Sequence, residues 1–287
     1  MAGFSSDWLA LREPADRAAR GPALLASLAA FAPSAKSLKI MDLGAGTGST
    51  LRAVAPHLPV PQAWVLVDHD GALVETGRQL LARWAEASSG DDQPPAPSGD
   101  GLALRVGSVP VTVTWREADL AAADWPSLLD GVDLVTASAL FDLVSAGFVE
   151  RFADAVAAAG AAVYVALDVD GTAVWSPSHP DDDAVAAAFR RHQGIDKGFG
   201  PALGPEASRV LAEALAARGF RVETEKAPWR LGADSRDLIA ALAEGWAGAA
   251  RAAGLEAATV ERWLAARRDA TGCVIGHTDL LATPPAR

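Results

Sequence analysis

The stretch Leu38-Lys39-Ile40-Met41-Asp42-Leu43-Gly44-Ala45-Gly46-Thr47-Gly48-Ser49-Thr50 decides how this chain is read. Its first six residues form a short apolar run ending in glycines, the pattern of a buried strand. Leu51, Val54 and Leu58 then resume at helical spacing. A glycine-rich turn between strand and helix lets backbone approach a ligand closely, because a side chain there would collide with it. Asp68, 20 residues beyond Gly48, ends a second apolar run at 63–70. A carboxylate so placed can accept hydrogen bonds from both hydroxyls of a ribose.

Outward from this unit, a helix is expected through Leu73, Leu80, Leu81 and Trp84. Strand, helix, strand, helix predicts a parallel sheet covered on both faces. Residues 87–101, rich in Pro, Gly, Ser and Asp, read as a mobile surface loop. A third strand runs through 111–115, a fourth with its exit through 131–143, and a fifth through 161–171. Between the last two, Phe148, Phe152 and Val156 mark a helix. Residues 172–203 show little strand character and read as an insertion with a short helix near 183–192. A helix opens at Gly204-Pro205-Glu206 and runs to Gly219, with Pro at its first turn and a carboxylate near its positive end. Residues 220–229 and 271–282 are two more strands, separated by helices near 236–253 and 259–268. Leu238, Leu242 and Trp246 stack on the buried face of the first of these. The expected fold is α/β, a doubly wound, mostly parallel seven-stranded sheet over 37–287, behind an N-terminal helical segment, 1–36.

Composition narrows the function. The chain has 287 residues, half of them hydrophobic, and a net charge of −11. Such a surface repels phosphate backbones and anionic lipid, so nucleic-acid and membrane partners are not expected. The single cysteine, Cys273, excludes an intrachain disulfide and a multi-cysteine zinc site. No apolar run reaches the roughly 18 residues of a membrane span. Arg17 and Arg20 precede an apolar stretch, but Asp7, Glu13 and Asp16 spoil a basic leader. Leu24, Leu28 and Phe31 fall at helical spacing, so an amphipathic helix is preferred to a signal peptide and the expected address is the cytoplasm.

Within the glycine motif, Ser49 stands where a nicotinamide-binding fingerprint has its third glycine. Asp42, two positions before the first glycine, suits a cationic amino group better than a pyrophosphate, which a carboxylate repels. In these residues the chain resembles the class I S-adenosylmethionine-dependent methyltransferases, whose first motif is matched by Asp42, Gly44, Gly46 and Gly48. The resemblance covers about 36–170. It implies S-adenosyl-L-methionine as cofactor, with Asp42, the glycines and Ala45 at its methionine end and Asp68 on its ribose. It further implies Asp119 at the adenine amino group with Leu120 lining the ring, and Ser138 beside the sulfonium; His69, next to Asp68, reads either as flanking the adenine or as a solvent-facing loop histidine.

The fourth strand reads Thr136-Ala137-Ser138-Ala139-Leu140-Phe141-Asp142, unlike the Pro-Pro motif of base and amide methyltransferases. With the acidic surface, this points to a small-molecule acceptor. Asp168, Asp170 and Asp181 to Asp183 read as structural or solvated, so no metal is expected. A general base is needed only for an acceptor that arrives protonated. The candidates are His192, in the insertion after the fifth strand, and Asp142, at the fourth strand's end. His277 and Asp279 read as structural strand residues, and Trp175 and His179 as packing or pocket lining. Trp8, Arg12, Glu13, Asp16 and Arg20 form a polar-aromatic helix able to close over ligand. The insertions at 172–203 and 232–270 are expected to cap the substrate. The rival readings are an NAD-dependent oxidoreductase and a nucleoside-binding regulatory protein without activity.

Overall fold

A computed structural model of the chain describes residues 4–32, 36–88, 96–98, 100–122 and 124–285. Helices α1 (Ser6–Ala19) and α2 (Pro22–Phe31) precede the sheet. They are followed by β1 (Leu38–Leu43), α3 (Ser49–Val54), β2 (Gln62–Asp68) and α4 (Gly71–Ser88). Next come β3 (Ala96–Ser98), β4 (Gly101–Val106), β5 (Val109–Glu117), β6 (Leu134–Ser138), α5 (Ala146–Ala159) and β7 (Ala162–Ser176). The chain continues through α6 (Asp182–Gln193), α7 (Ala207–Ala216), β8 (Arg221–Lys226) and β9 (Trp229–Leu231). It ends with α8 (Arg236–Ala252), α9 (Ala257–Arg267) and β10 (Gly272–Thr283).

The strands order as β3-β4-β5-β2-β1-β6-β7-β10-β8, with β9 paired to β10. The β5-β2-β1-β6-β7 block is parallel, and β10 runs antiparallel to β7, β8 and β9. Strand alternation divides the core. Ile40, Trp64 and Tyr164 face Leu28, Leu51 and Leu81 of α2, α3 and α4. Met41, Val135 and Val163 face Phe148, Phe152 and Leu211 of α5 and α7. Both faces are therefore buried, as the uninterrupted apolar strands require.

The sheet has more strands than the seven expected. Residues 96–98, inside the stretch 87–101 read as a loop, form a strand and with 101–106 add an antiparallel pair to β5; 89–95 and 99 lie outside the described residues. Within 101–106 only Leu104 is fully buried, so the strand lacks the apolar run that marks its neighbours. The segment 220–229 divides into β8 and β9 around Ala227 and Pro228. Proline there removes a ladder donor, which breaks the strand. Strand β7 also continues to Ser176, into the segment read as an insertion without strand character.

Two aromatic clusters hold the elements that matter for the site. Phe141 packs edge-on against Phe152 at 4.9 Å, while Trp125 stacks on Phe148 at 5.5 Å. Burying each such side chain contributes about 1.5–3 kcal/mol. This fixes the turn at Phe141–Leu143 on which Asp142 sits. Across the sheet, Trp175 meets Trp246 and Trp263 edge-on at 5.9 and 5.3 Å, tying α8 and α9 to β7. Asp182, at the start of α6, accepts from Trp263 Nε1 at 2.7 Å and from buried Arg267 at 2.6 Å.

Candidate active site: two adjoining cavities at the carboxyl end of the sheet

The chain order reverses between β1 and β6, and open α/β sheets bind ligands at such switch points. The turn after β1 carries Gly44, Gly46 and Gly48 at φ of 64°, 52° and 79°. Left-handed backbone at alternate positions is affordable only for glycine. A Cβ on Gly46 would stand 3.1 Å from Leu9 of α1. The turn and the ends of β2, β5 and β6 enclose a cavity of about 450 Å³. That is room for a nucleoside-sized ligand.

Gly44, Ala45, Gly46, Asp68, His69, Asp119, Leu120 and Ser138 line this cavity. Asp68 Oδ2 accepts the Gly46 amide at 2.7 Å, and Oδ1 accepts the Asp70 amide at 3.0 Å. A carboxylate has about four acceptor sites, so two remain for a diol. The His69 ring is largely exposed, with Nδ1 3.6 Å from Asp68 Oδ1. Asp119 Oδ1 accepts the Ala121 amide at 2.8 Å. Ser138 Oγ joins two elements, accepting from Arg20 Nη2 at 2.9 Å and Thr50 Oγ1 at 3.1 Å.

Two residues of the glycine motif stand behind the cavity wall instead of on it. Asp42 shares the strand face of Ile40 and is fully buried beneath the helices. Thr136 Oγ1 donates to its Oδ1 at 2.7 Å, and Oδ2 has no partner among the described residues. Burial pushes its carboxyl up to about 7 against the pull of Thr136 and Arg20. Gly48 caps α3, and a Cβ there would meet Leu81 and Leu66.

A second cavity, of about 560 Å³, lies under α6, α8 and α1. It shares Phe4, Arg12, Ala139, Leu143 and Lys197 with the first, so the two adjoin. Its wall is mostly apolar, with an aromatic belt of Trp8, Phe189, Trp229 and Trp246. Ala139, at the junction, and Leu167, on the wall, adopt φ of 51° and 64°. Such strain in non-glycine residues costs about 1–3 kcal/mol and needs enforcing contacts. Leu167 is held by its amide, which donates to buried Asp279 at 2.9 Å; the same carboxylate accepts the Gly21 amide at 2.9 Å. Asp279 thereby joins α2 to β7, the structural part expected of it.

Asp142 lines the second cavity, and its buried Oδ1 has no partner among the described residues. Burial pushes its carboxyl up to about 6, against the pull of Arg12 and Lys197. Beneath it Asp168, fully buried, accepts the Phe141 amide at 3.1 Å. Burial, and then the Asp142 charge, hold Asp168 well above the carboxylate range, so the pair favours keeping a proton. His192 lines the same cavity from the last turn of α6, and burial with nearby Lys197 lowers its pKa. His277, read from sequence as a strand residue, also lines the cavity. It is 3% exposed, lies 4.9 Å from the Trp229 ring, and is lowered to about 4 by burial and then Arg12.

Helix α1 closes over both cavities. Arg52 donates to Glu13 through Nε at 2.7 Å and Nη2 at 2.6 Å, and through Nη1 to the Thr47 carbonyl of the glycine turn at 2.7 Å. Asp16 accepts from Arg12 at 2.9 Å and from Trp229 Nε1 at 3.1 Å. Residues 197–199, in the insertion expected at the acceptor, also reach the first cavity.

No protein-family model matches this sequence, and no curated protein does. The structure of a cyclopropane synthase from Mycobacterium tuberculosis superposes with a TM-score of 0.50 at 12% identity, covering 98% of this chain and 95% of that one. A SAM-dependent methyltransferase from Geobacter sulfurreducens, solved with S-adenosyl-L-homocysteine, has a TM-score of 0.45 at 16% identity, with 99% and 100% covered. The chain has the class I methyltransferase fold. In that fold the antiparallel β10 lies between β7 and β8, and the glycine turn opens onto the first cavity. Among the described residues no helix is long and apolar enough to cross a membrane.

Proposed function

We propose that this protein is an S-adenosyl-L-methionine-dependent methyltransferase acting on a small, largely apolar acceptor. The observation that carries the reading is the meeting of two unlike cavities at Ala139, Leu143 and Lys197. One has the glycine turn and a diol-binding carboxylate; the other is apolar and aromatic. The bound sulfonium supplies an electrophilic methyl group. The chain's part is to hold two reactants in attack geometry and to keep water out.

Asp68 and Asp119 hold the nucleoside, and Gly44, Ala45 and Gly46 cradle the methionine end. Asp42 acts from behind the turn, as a buried carboxyl under the backbone that meets the amino acid. Ser138, tied to Arg20, flanks the junction, while His69 covers the adenine side and Leu120 its ring. Helices α6, α8 and α9 form the acceptor cap, with α1 as its front wall. Asp142 is the preferred proton acceptor, because it lines the apolar cavity on the turn after β6; His192 is the alternative. The acidic surface and the apolar cavity favour a small molecule over nucleic acid, and the cytoplasm remains the expected address.

Calorimetric titration with S-adenosyl-L-homocysteine tests the reading. Asp68→Ala removes two hydrogen bonds to the ribose, about 1–3 kcal/mol, and should weaken binding roughly 5- to 150-fold. Equal affinity of the variant and the parent protein would overturn the assignment of this cavity.

A further inference from the structure

The two cavities differ in the sign of their charge. Arg12 and Lys197 line both. Against them the first cavity sets four carboxylates, Asp16, Asp68, Asp70 and Asp119. The second instead adds Arg190 and has a single carboxylate, Asp142. That carboxyl is raised to about 6 by burial and shares a proton with Asp168 beneath it, so it offsets little of the positive charge. In a chain with 36 acidic against 25 basic residues, a basic wall runs against the composition. A charge on that wall acts within a Debye length of about 8 Å, beyond which the acidic surface is largely screened.

The three cations are not equally available. Arg12 is paired with Asp16 at 2.9 Å and lies over the Trp229 ring at 5.0 Å. Arg190 is exposed in the last turn of α6, where water screens it. Lys197 is half-buried and has no ion-pair partner among the described residues. Its Nζ donates to the His192 carbonyl at 3.3 Å, which leaves two of its three hydrogens. The neighbouring carboxylate, Asp196, accepts the Gly198 and Gly200 amides at 2.7 and 2.9 Å instead. The Lys197 charge is felt by both Asp142 and His192 of the second cavity. The aromatic belt is no open cage for a cation either: Arg12 covers Trp229, and Phe189 stacks on Trp246 at 4.1 Å.

We infer that the second cavity selects an anionic acceptor, an apolar, ring-bearing acid whose carboxylate meets Lys197 at the junction of the two cavities. A carboxylate leaving water for an apolar cavity needs a paired, hydrogen-bonded partner, and an ammonium donor makes about twice as strong a bond as a neutral one. The same charge repels an ammonium ligand. The hydrocarbon and rings of the wall take the body of the acid. Lys197 also lies at the carbonyl end of α6, where a cation steadies a helix by itself. A part confined to that end would change the stability of the protein and leave ligand choice alone. The inference rests on the methyl-transfer reading only in calling the ligand an acceptor; the choice of an anion stands on the cavity itself.

The test is calorimetric titration of the intact protein at pH 7.5 with three probes of one shape: 2-naphthoate, neutral 2-naphthamide and cationic 2-naphthylmethylammonium. Naphthoate should bind at least about tenfold more tightly than the amide, and the ammonium more weakly than either. Lys197→Met, checked for folding by circular dichroism, should bring the naphthoate preference below about threefold, while Lys197→Arg keeps it. Equal binding of naphthoate and naphthamide to the parent protein, preference for the ammonium, or no binding of any probe overturns the proposal whether or not a variant folds. A full preference retained by folded Lys197→Met, with only its melting temperature changed, assigns Lys197 to α6 alone and overturns it as well. Calorimetry with S-adenosyl-L-homocysteine, run in parallel, separates the two ideas. Failure there with the naphthoate preference intact removes the methyl-transfer reading and leaves the anion site standing.

Discussion

Asp42 illustrates how a residue legible in sequence takes a different part in three dimensions. Its place before the glycines marked it as a ligand contact, but strand alternation turns it onto the helix-covered face, out of the cavity. No spacing rule reveals this, because both faces of β1 are covered and the apolar run does not say on which side the cavity opens. The placement has a consequence for pH. The folded-state pKa, about 7, stands above the ordinary carboxylate value, so the stability tied to the protonated form is complete below about pH 4 and lost as pH rises through 7. Asp42→Asn keeps an acceptor for Thr136 without the ionisation. Its melting temperature, relative to the parent protein, should be higher at pH 8 than the same difference at pH 5. A difference independent of pH would contradict the burial argument. Asp68, Asp119 and Ser138 were readable because strand ends place their side chains whatever packs outside. His277 was not: a histidine in an apolar strand looks like core until the cavity behind it is seen.

At the scale of elements, the glycine turn, the five parallel strands and most helices could be read from period alone, since both-face burial writes itself as apolar runs. Strands β3 and β4 could not, because β4 has a single buried residue, Leu104, and Ala96 and Pro97 of β3 are exposed, which leaves little pattern. The division between β8 and β9 depends on a single Ala-Pro step. Helix α1 was legible as a polar-aromatic helix, but its partner was not. Arg52 lies 39 residues from Glu13, and only the fold brings it to a bidentate pair with side chains 4% and 15% exposed. That pair joins α1 to the glycine turn through the Thr47 carbonyl. Glu13→Gln strands a buried guanidinium and should cost about 1–3 kcal/mol of stability. It should also speed amide exchange in α1 and weaken S-adenosyl-L-homocysteine, whose cavity α1 closes. Unchanged α1 exchange, measured by mass spectrometry, would show that the helix is held by apolar contacts alone.

For the whole molecule, the acidic surface and the apolar interior divide the work. A net charge of −11 disfavours polyanions, while the second cavity, lined by α1, α6 and α8, presents mostly rings and hydrocarbon. Helices α8 and α9 pack around Trp175, Trp246 and Trp263, so the second cavity and the stability of that half share one core. The central claim is that the first cavity is made for S-adenosyl-L-methionine. It is tested most directly by the melting temperature of the protein with S-adenosyl-L-homocysteine, and with NADH in a parallel series. Ligand at about 100 times its dissociation constant adds roughly 2.7 kcal/mol, a rise of several degrees for a chain of this size. The account predicts that rise with S-adenosyl-L-homocysteine and none with NADH. A rise with NADH alone, or with neither, would contradict it.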